Sequence, residues 1–431
     1  MTRPSLATLE TDQRTGTAGS PALLVALALI AAPLLKPHGP VHVTPVDVIM
    51  TVAILSVVLW AGTAHVDLHL PYAVPMAILI ATGIVAAAFS IVPMSGVVAV
   101  GQDLFLFTWA AAIANLIRRP RDLNLFLSAW SLGAIAWASI LLAGVFVGVP
   151  SIPGASYGVR AQLWFDNPNM AGNFFMISLF VLMLSDRPRG RLARLCGYVV
   201  VGGAVLFTGS VAALGAFAIG GCVVLLYRVW RKADLRSAMA AGALGVLLLA
   251  TIAFIALESG TVTAVSQSSN TLVEDSIGRT SRSAEGRTNL FVHEFELFRT
   301  GPLIGRGPAS TKANLASSYG DVVKEAHDDY LATLVERGVI GVVGLLILIL
   351  GVVLRASAVS HRPLSPAYAA AIRNQSAFIG AAVALGVSAV THEILHYRHV
   401  WSLFGILAGV YLFGLAREGA PSISPRLGSV P

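Results

Sequence analysis

Long apolar runs, separated by short polar connections, constrain this chain more than any other feature. A helix needs about 20 mostly apolar residues to cross the hydrocarbon core of a bilayer, because buried backbone polar groups must be satisfied internally. Twelve runs qualify: 21–36, 45–62, 72–92, 95–117, 123–149, 169–185, 195–209, 211–229, 238–257, 338–356, 368–390 and 399–416. Only 12% of the 431 residues are charged, where a soluble domain carries about a quarter. The expected fold is therefore an all-α integral membrane bundle of about twelve transmembrane helices. A net charge of +7 would suggest nucleic acid in a soluble protein. Here the basic residues fall in clusters between apolar runs, so membrane orientation accounts for them and no nucleic-acid partner is expected.

Those clusters alternate from one side to the other. Arg3, Arg14, Arg118, Arg119, Arg121, Arg187, Arg189, Arg191, Arg194, Arg228, Arg231, Lys232, Arg236, Arg355, Arg362, Arg373, Arg417 and Arg426 fall on one side. The short loops of the other side hold only Lys36, Arg160 and Arg398. The positive-inside rule then predicts two cytoplasmic termini. The expected layout is a tail at 1–20, spans one to nine within 21–257, an extracytoplasmic loop at 258–337, spans ten to twelve within 338–416, and a tail at 417–431. The polar start, with Glu10 and Asp12, does not resemble a cleaved signal peptide. The two cysteines, Cys196 and Cys222, fall in cytoplasmic halves of spans, so no structural disulfide is expected.

The long loop is where chemistry is expected, since connections of this length are usually functional or disordered. Its first part, SGTVTAVSQSSNTLVEDSIGRTSRS, is polar and reads as mobile. Residues 286–299 space Leu290, Phe291, Phe295 and Phe298 like an interfacial helix. After the turn GPLIGRG, residues 323–337 read as a second amphipathic stretch leading into the tenth span. Asp103, inside the fourth span, has to face protein or water.

The segment from Arg287 to Gly341 carries a recognisable pattern. Arg287 follows a glycine and precedes Phe291; Pro302, Gly305 and Gly307 form a Pro-x-x-Gly-x-Gly turn; nine residues separate the pair His327-Asp328 from Gly338, with Gly341 beyond. Earlier come Arg160, the run Phe165-Asp166-Asn167-Pro168-Asn169, and Thr208-Gly209-Ser210. Together these resemble the signature of the O-antigen ligase and polysaccharide polymerase superfamily, over roughly residues 155–410. Three positions depart from it: Asp328 replaces the usual Asn, Phe291 the commoner Trp, and Val211 an arginine.

The resemblance implies a membrane glycosyltransferase of the bacterial cytoplasmic membrane. It would move a saccharide from a polyprenyl-diphosphate-linked donor to a saccharide or lipid acceptor on the outer face, as ligase or polymerase, by inverting displacement. It implies His327 and Arg287 as catalytic residues, with Arg160, Asp328, Asn169 and Arg306 binding substrate. The chemistry is consistent with these residue types. Guanidinium stabilises departing phosphates through paired hydrogen bonds, and imidazole titrates near the working pH. No cofactor or metal is expected.

Simpler readings stand beside these. A histidine before a helix can be a polar surface residue, Arg160 can be a snorkelling arginine, and Asp329 reads first as a helix cap. His392-Glu393-Ile394-Leu395-His396 has the HExxH spacing of a zinc protease helix, with His399 nearby as a further surface ligand. A polar hairpin lining the outer cavity is the preferred reading of that segment. A transporter or flippase for a lipid-linked or small anionic substrate is the remaining alternative. It would concentrate polar residues at mid-span rather than outside.

Overall fold

A computed structural model describes residues 19–35, 44–147, 160–232, 279–320 and 328–416, with side chains in the fourth stretch from residue 289 onward. The elements are α1 (Gly19–Ile30), α2 (Pro45–Ala64), α3 (Ala73–Ala88), α4 (Pro93–Leu116), α5 (Pro120–Val147), α6 (Pro168–Leu184), α7 (Arg191–Phe207) and α8 (Val211–Lys232). There follow α9 (Arg279–Arg299), α10 (Thr311–Tyr319), α11 (Asp329–His361), α12 (Pro366–Ala371), α13 (Ala377–Ala389) and α14 (Arg398–Gly409), which ends in a π turn at Val410–Gly414. Among the described residues there is no strand, only one isolated bridge between Leu364 and Leu415.

Five helices, α2, α4, α5, α8 and α11, are long and apolar enough to cross a membrane by length and composition. The helices α1, α3, α6 and α13 are apolar but shorter. Leu55, Leu59, Met94, Val98, Leu350 and Leu354 all expose more than half of their surface. An apolar perimeter of this kind is costly in water and is solvated by lipid. The interior closes through pairs: α1 packs on α2 and α5, α3 on α4 and α11, α4 on α14, α6 on α7, and α8 on α13. Trp109, Trp130, Trp401 and Phe174 are among its largest buried side chains. Two of the tryptophans place their indole N–H groups on serine hydroxyls, Trp109 on Ser402 and Trp130 on Ser178, each at 2.9 Å. A buried indole needs such a partner.

Several sequence boundaries change. The ninth expected run, 238–257, lies outside the described residues, as do both tails and residues 258–278 of the loop. Helix α9 begins at Arg279, so the end of the stretch read as mobile is helical. The run 338–356 is part of α11, which starts nine residues earlier and bends at Gly338. The run 368–390 is two helices, because its polar middle has better partners elsewhere. Arg373 N–H donates to the Leu184 carbonyl at 2.8 Å, and Ser360 Oγ donates to the Gln375 carbonyl at 3.0 Å. Arg228 donates to Asn374 Oδ1 at 3.4 Å. With its backbone satisfied by neighbours, the segment gains nothing by staying helical. Cys196 and Cys222 are both free thiols.

Candidate functional site

The site begins with a break in a helix. Gly338 has φ 69° and ψ −168°, a conformation that interrupts α11 after Arg337. Interruption strips the preceding carbonyls of their helical partners. The Pro302–Gly307 turn supplies replacements: Arg306 N–H donates to the Val335 carbonyl at 2.8 Å and Gly307 N–H to the Glu336 carbonyl at 2.9 Å. Val339 N–H donates back to the Leu303 carbonyl at 3.2 Å. Backbone lies against backbone at this junction. A Cβ on Gly305 (φ +89°) would overlap the Glu336 carbonyl, and one on Gly338 would overlap the Leu303 carbonyl. The spacing between the two glycine motifs is thus a packing requirement.

The Glu336 side chain completes this latch. Its Oε2 accepts from Ala309 N–H at 2.9 Å, and its Oε1 from Thr311 Oγ1 at 2.7 Å and Thr311 N–H at 3.3 Å. These bonds seat the start of α10 on α11. Pro308 then reaches the α3–α4 hairpin, near Gly83 and Gly96.

Beside the latch lies a cavity of about 300 Å³, lined from α3, α4, the 308–312 turn, α11, the 393–396 turn and Trp401. Asp103, the acid expected inside the fourth span, pairs there with Arg337, which also donates to the Leu79 carbonyl at 2.7 Å. Its carboxylate faces protein, as an ionisable group among apolar helices must.

The 391–397 segment is a turn, not a helix. The HExxH reading fails at this point, because two histidines four residues apart share a face only on a helix. Asp329 explains the turn: its carboxylate accepts from Ile394 N–H at 2.9 Å and Leu395 N–H at 3.3 Å, while Trp401 donates to the Leu395 carbonyl at 2.5 Å. Asp329 is therefore not the cap of α11. Asp328 is, accepting from Leu331 N–H at 2.5 Å. Burial holds the Asp328 carboxyl above its ordinary range. His396 lines the cavity with its pKa lowered to about 4 by burial and by Arg398, so it is a neutral imidazole at pH 7. His399 is buried rather than at the surface, with Nε2 2.9 Å from Asn173 Oδ1.

A second polar centre forms where α6 starts and α7 ends. Arg160 donates through Nε to the Thr208 carbonyl at 2.8 Å and through Nη2 to Asn169 Oδ1 at 2.6 Å. Asn167 caps α6, accepting from Met170 N–H at 2.9 Å. Gly172 packs against Thr208 and Ser210. Three segments separate in sequence are thereby joined. Edge-on and tilted ring contacts link this centre to the cavity: His396 to Tyr397 at 4.6 Å, Tyr397 to His399 at 5.3 Å, and His399 to Phe165 at 6.3 Å between centroids. Val211, where the resemblance leads one to expect arginine, is an exposed residue at the start of α8.

The remaining sequence candidates divide. His327 lies outside the described residues, next to the cap Asp328. Arg287 lies on α9, and its side chain is outside the described set. Arg306 does not line the cavity; it braces the end of α9, donating to the Leu297 carbonyl at 3.0 Å and Thr300 Oγ1 at 3.2 Å. Sequence reasoning missed Arg337, Glu336 and Glu294. Glu294 sits between Leu290 and Leu297 on the face of α9 that packs against Leu331 and Val335. It is 1% exposed, and its Oε1 has no partner among the described residues. Burial, with Asp328 and Glu336 nearby, pushes its carboxyl up to about 8. An acid at the 290–294–297 spacing of an apolar stripe was the available signal.

No curated protein matches this chain. The family model described as O-antigen ligase matches residues 196–346, a stretch running from α7 through the latch to the second leg of α11. Over that stretch, the match supports the resemblance of this chain to the O-antigen ligase and polymerase superfamily.

Proposed function

We propose that this protein is a metal-independent glycosyltransferase of the bacterial cytoplasmic membrane. It moves a saccharide from a polyprenyl-diphosphate donor to a saccharide or lipid acceptor on the non-cytoplasmic face, as ligase or polymerase. Twelve spans with both termini in the cytoplasm put the 258–337 loop on that face. The observation that carries the reading is the O-antigen ligase match, which spans the Gly305–Gly338 latch and ends within the helix that position 327 precedes.

In the proposed reaction, His327 takes the proton of an acceptor hydroxyl. The freed oxygen attacks the anomeric carbon, and the bond from that carbon to the donor diphosphate breaks. The diphosphate leaves on its lipid, its charge met by the guanidinium groups of Arg287 and Arg160. Asn169 holds the Arg160 fork in place. Asp328 sets the start of α11 directly after the base.

The test uses the full chain in nanodiscs with a polyprenyl-diphosphate-linked sugar and no ion gradient. Product is expected from the wild type, and His327→Ala should lower turnover by roughly 100-fold or more while inserting normally. Near-normal turnover in that variant removes His327 from the mechanism. Lipid movement without bond exchange would assign the protein to transport instead.

A further inference from the structure

The cavity beside the latch differs chemically from a phosphate site. Its volume, about 300 Å³, is at the low end of small-molecule sites, roughly 300–1,000 Å³. Gln102, Lys312 and Glu393 offer polar contacts, while Leu79, Leu348 and Trp401 form apolar wall. Four carboxylates line it, those of Asp103, Asp329, Glu336 and Glu393, against two cations, Lys312 and Arg337. Arg337 is already engaged by Asp103 and by the Leu79 carbonyl. Asp329 and Glu336 are likewise engaged, by backbone N–H groups, so a diphosphate entering here would shed its water without meeting the guanidinium pairs that stabilise phosphate. Hydroxyl and acetamido groups suit the cavity better. Carboxylates and a carboxamide accept O–H and N–H donors, and an apolar wall covers the ring's C–H surface. The 391–397 turn that lines the cavity is pinned at Ile394 and Leu395 by Asp329 and Trp401, so this part of the wall is set in advance.

We propose that this cavity binds the non-anionic end of a saccharide and rejects anionic groups, so that it receives the acceptor and not the donor diphosphate. The word acceptor rests on the transfer reading above; the selectivity for uncharged saccharide rests only on the cavity. Ala99 and Ala332 both line it, from α4 and α11. A phenylalanine at either position fills the space, whereas Ala99→Ser leaves it open.

Binding to the full chain in nanodiscs would be read by saturation-transfer NMR with three probes: N,N′-diacetylchitobiose, a uronic-acid disaccharide and inorganic pyrophosphate. The neutral disaccharide should bind the wild type and Ala99→Ser alike and at least tenfold more weakly to Ala99→Phe. The uronic disaccharide should bind the wild type at least tenfold more weakly than the neutral one. Pyrophosphate binding, if any, should be indifferent to Ala99→Phe. Ala332→Phe repeats the test if Ala99→Phe fails to fold. Anionic probes that bind as well as the neutral one with the same sensitivity to filling overturn the proposal. So does absence of neutral binding, or binding unaffected by either filled variant. Neutral binding that disappears on filling, in a protein that transfers no sugar, would leave the selectivity intact and sink the transferase reading instead.

Discussion

The two polar centres of this molecule use opposite chemistry. Around the latch, carboxylates serve the backbone: Glu336 and Asp329 each accept from backbone N–H groups of other segments, and Asp328 from its own helix. At the start of α6 a guanidinium plays that part, with Arg160 donating to a carbonyl and an amide oxygen. The first arrangement fixes the walls of a cavity. The second places a planar cation at a helix start, outside the lining of that cavity. A carboxylate bound to N–H groups ties segments together without offering charge to an anion, while a guanidinium has five donors and can tie and bind at once. On the reading proposed above, the difference separates a centre for neutral saccharide from one for phosphate.

The sharpest way to break this contrast is at the latch. Gly338→Val forces a β-branched residue into a positive-φ conformation, and its Cβ overlaps the Leu303 carbonyl. Backbone strain alone costs about 1–3 kcal/mol, and relieving the overlap means giving up the three backbone bonds of the junction. Thermal unfolding in detergent should show the largest loss of any single change considered, above roughly 3 kcal/mol, with transfer abolished. A variant as stable as wild type would show that the junction is not what holds α10 and the cavity wall. Arg160 lies outside that junction, so phosphate affinity should survive in whatever fraction remains folded.

Glu294 tests whether the carboxylate side carries a hidden titration. Its folded pKa is raised to about 8, so the folded state holds a proton that the unfolded chain has released above about 4.5. Stability should therefore fall as pH rises between those values and level off above 8. Glu294→Gln removes the titrating group, so the variant should overtake wild type toward pH 8. The gain there should be on the order of 2–3 kcal/mol once relaxation of a buried acid is allowed for. Melting curves from pH 5 to 9 check it, and parallel profiles for the two proteins would refute it.

Much of this contrast could be read in sequence, for reasons that differ by residue. The apolar runs announce themselves because lipid demands about twenty consecutive apolar residues. Arg160, Asn169 and Thr208 were singled out by resemblance, and the fold brings them within hydrogen-bond reach of one another. What failed were readings that depend on a partner far along the chain. Asp328 and Asp329 are equally good caps by composition, and only the N–H groups of Ile394 and Leu395 decide that Asp329 is spent elsewhere. The same bonds release residues 391–397 from the helix that the HExxH spacing presumes. Asp103 signalled a partner without naming Arg337, 234 positions away. The split between α12 and α13 likewise depends on Arg228, Leu184 and Ser360, which no local window contains.

The smallest effect should come from Arg160→Lys. Lysine keeps the charge but loses the planar fork that reaches the Thr208 carbonyl and Asn169 together. One lost hydrogen bond to a charged donor costs about 1.5 kcal/mol or somewhat less where water can enter, so the melting temperature should move little. Pyrophosphate affinity should weaken by roughly tenfold, the equivalent of about 1.4 kcal/mol. Binding of neutral disaccharide should be unchanged, because Arg160 does not line the cavity. If both ligands weakened together, the ring contacts from Phe165 through His399 to His396 would be transmitting the change, and the two centres would have to be treated as one site.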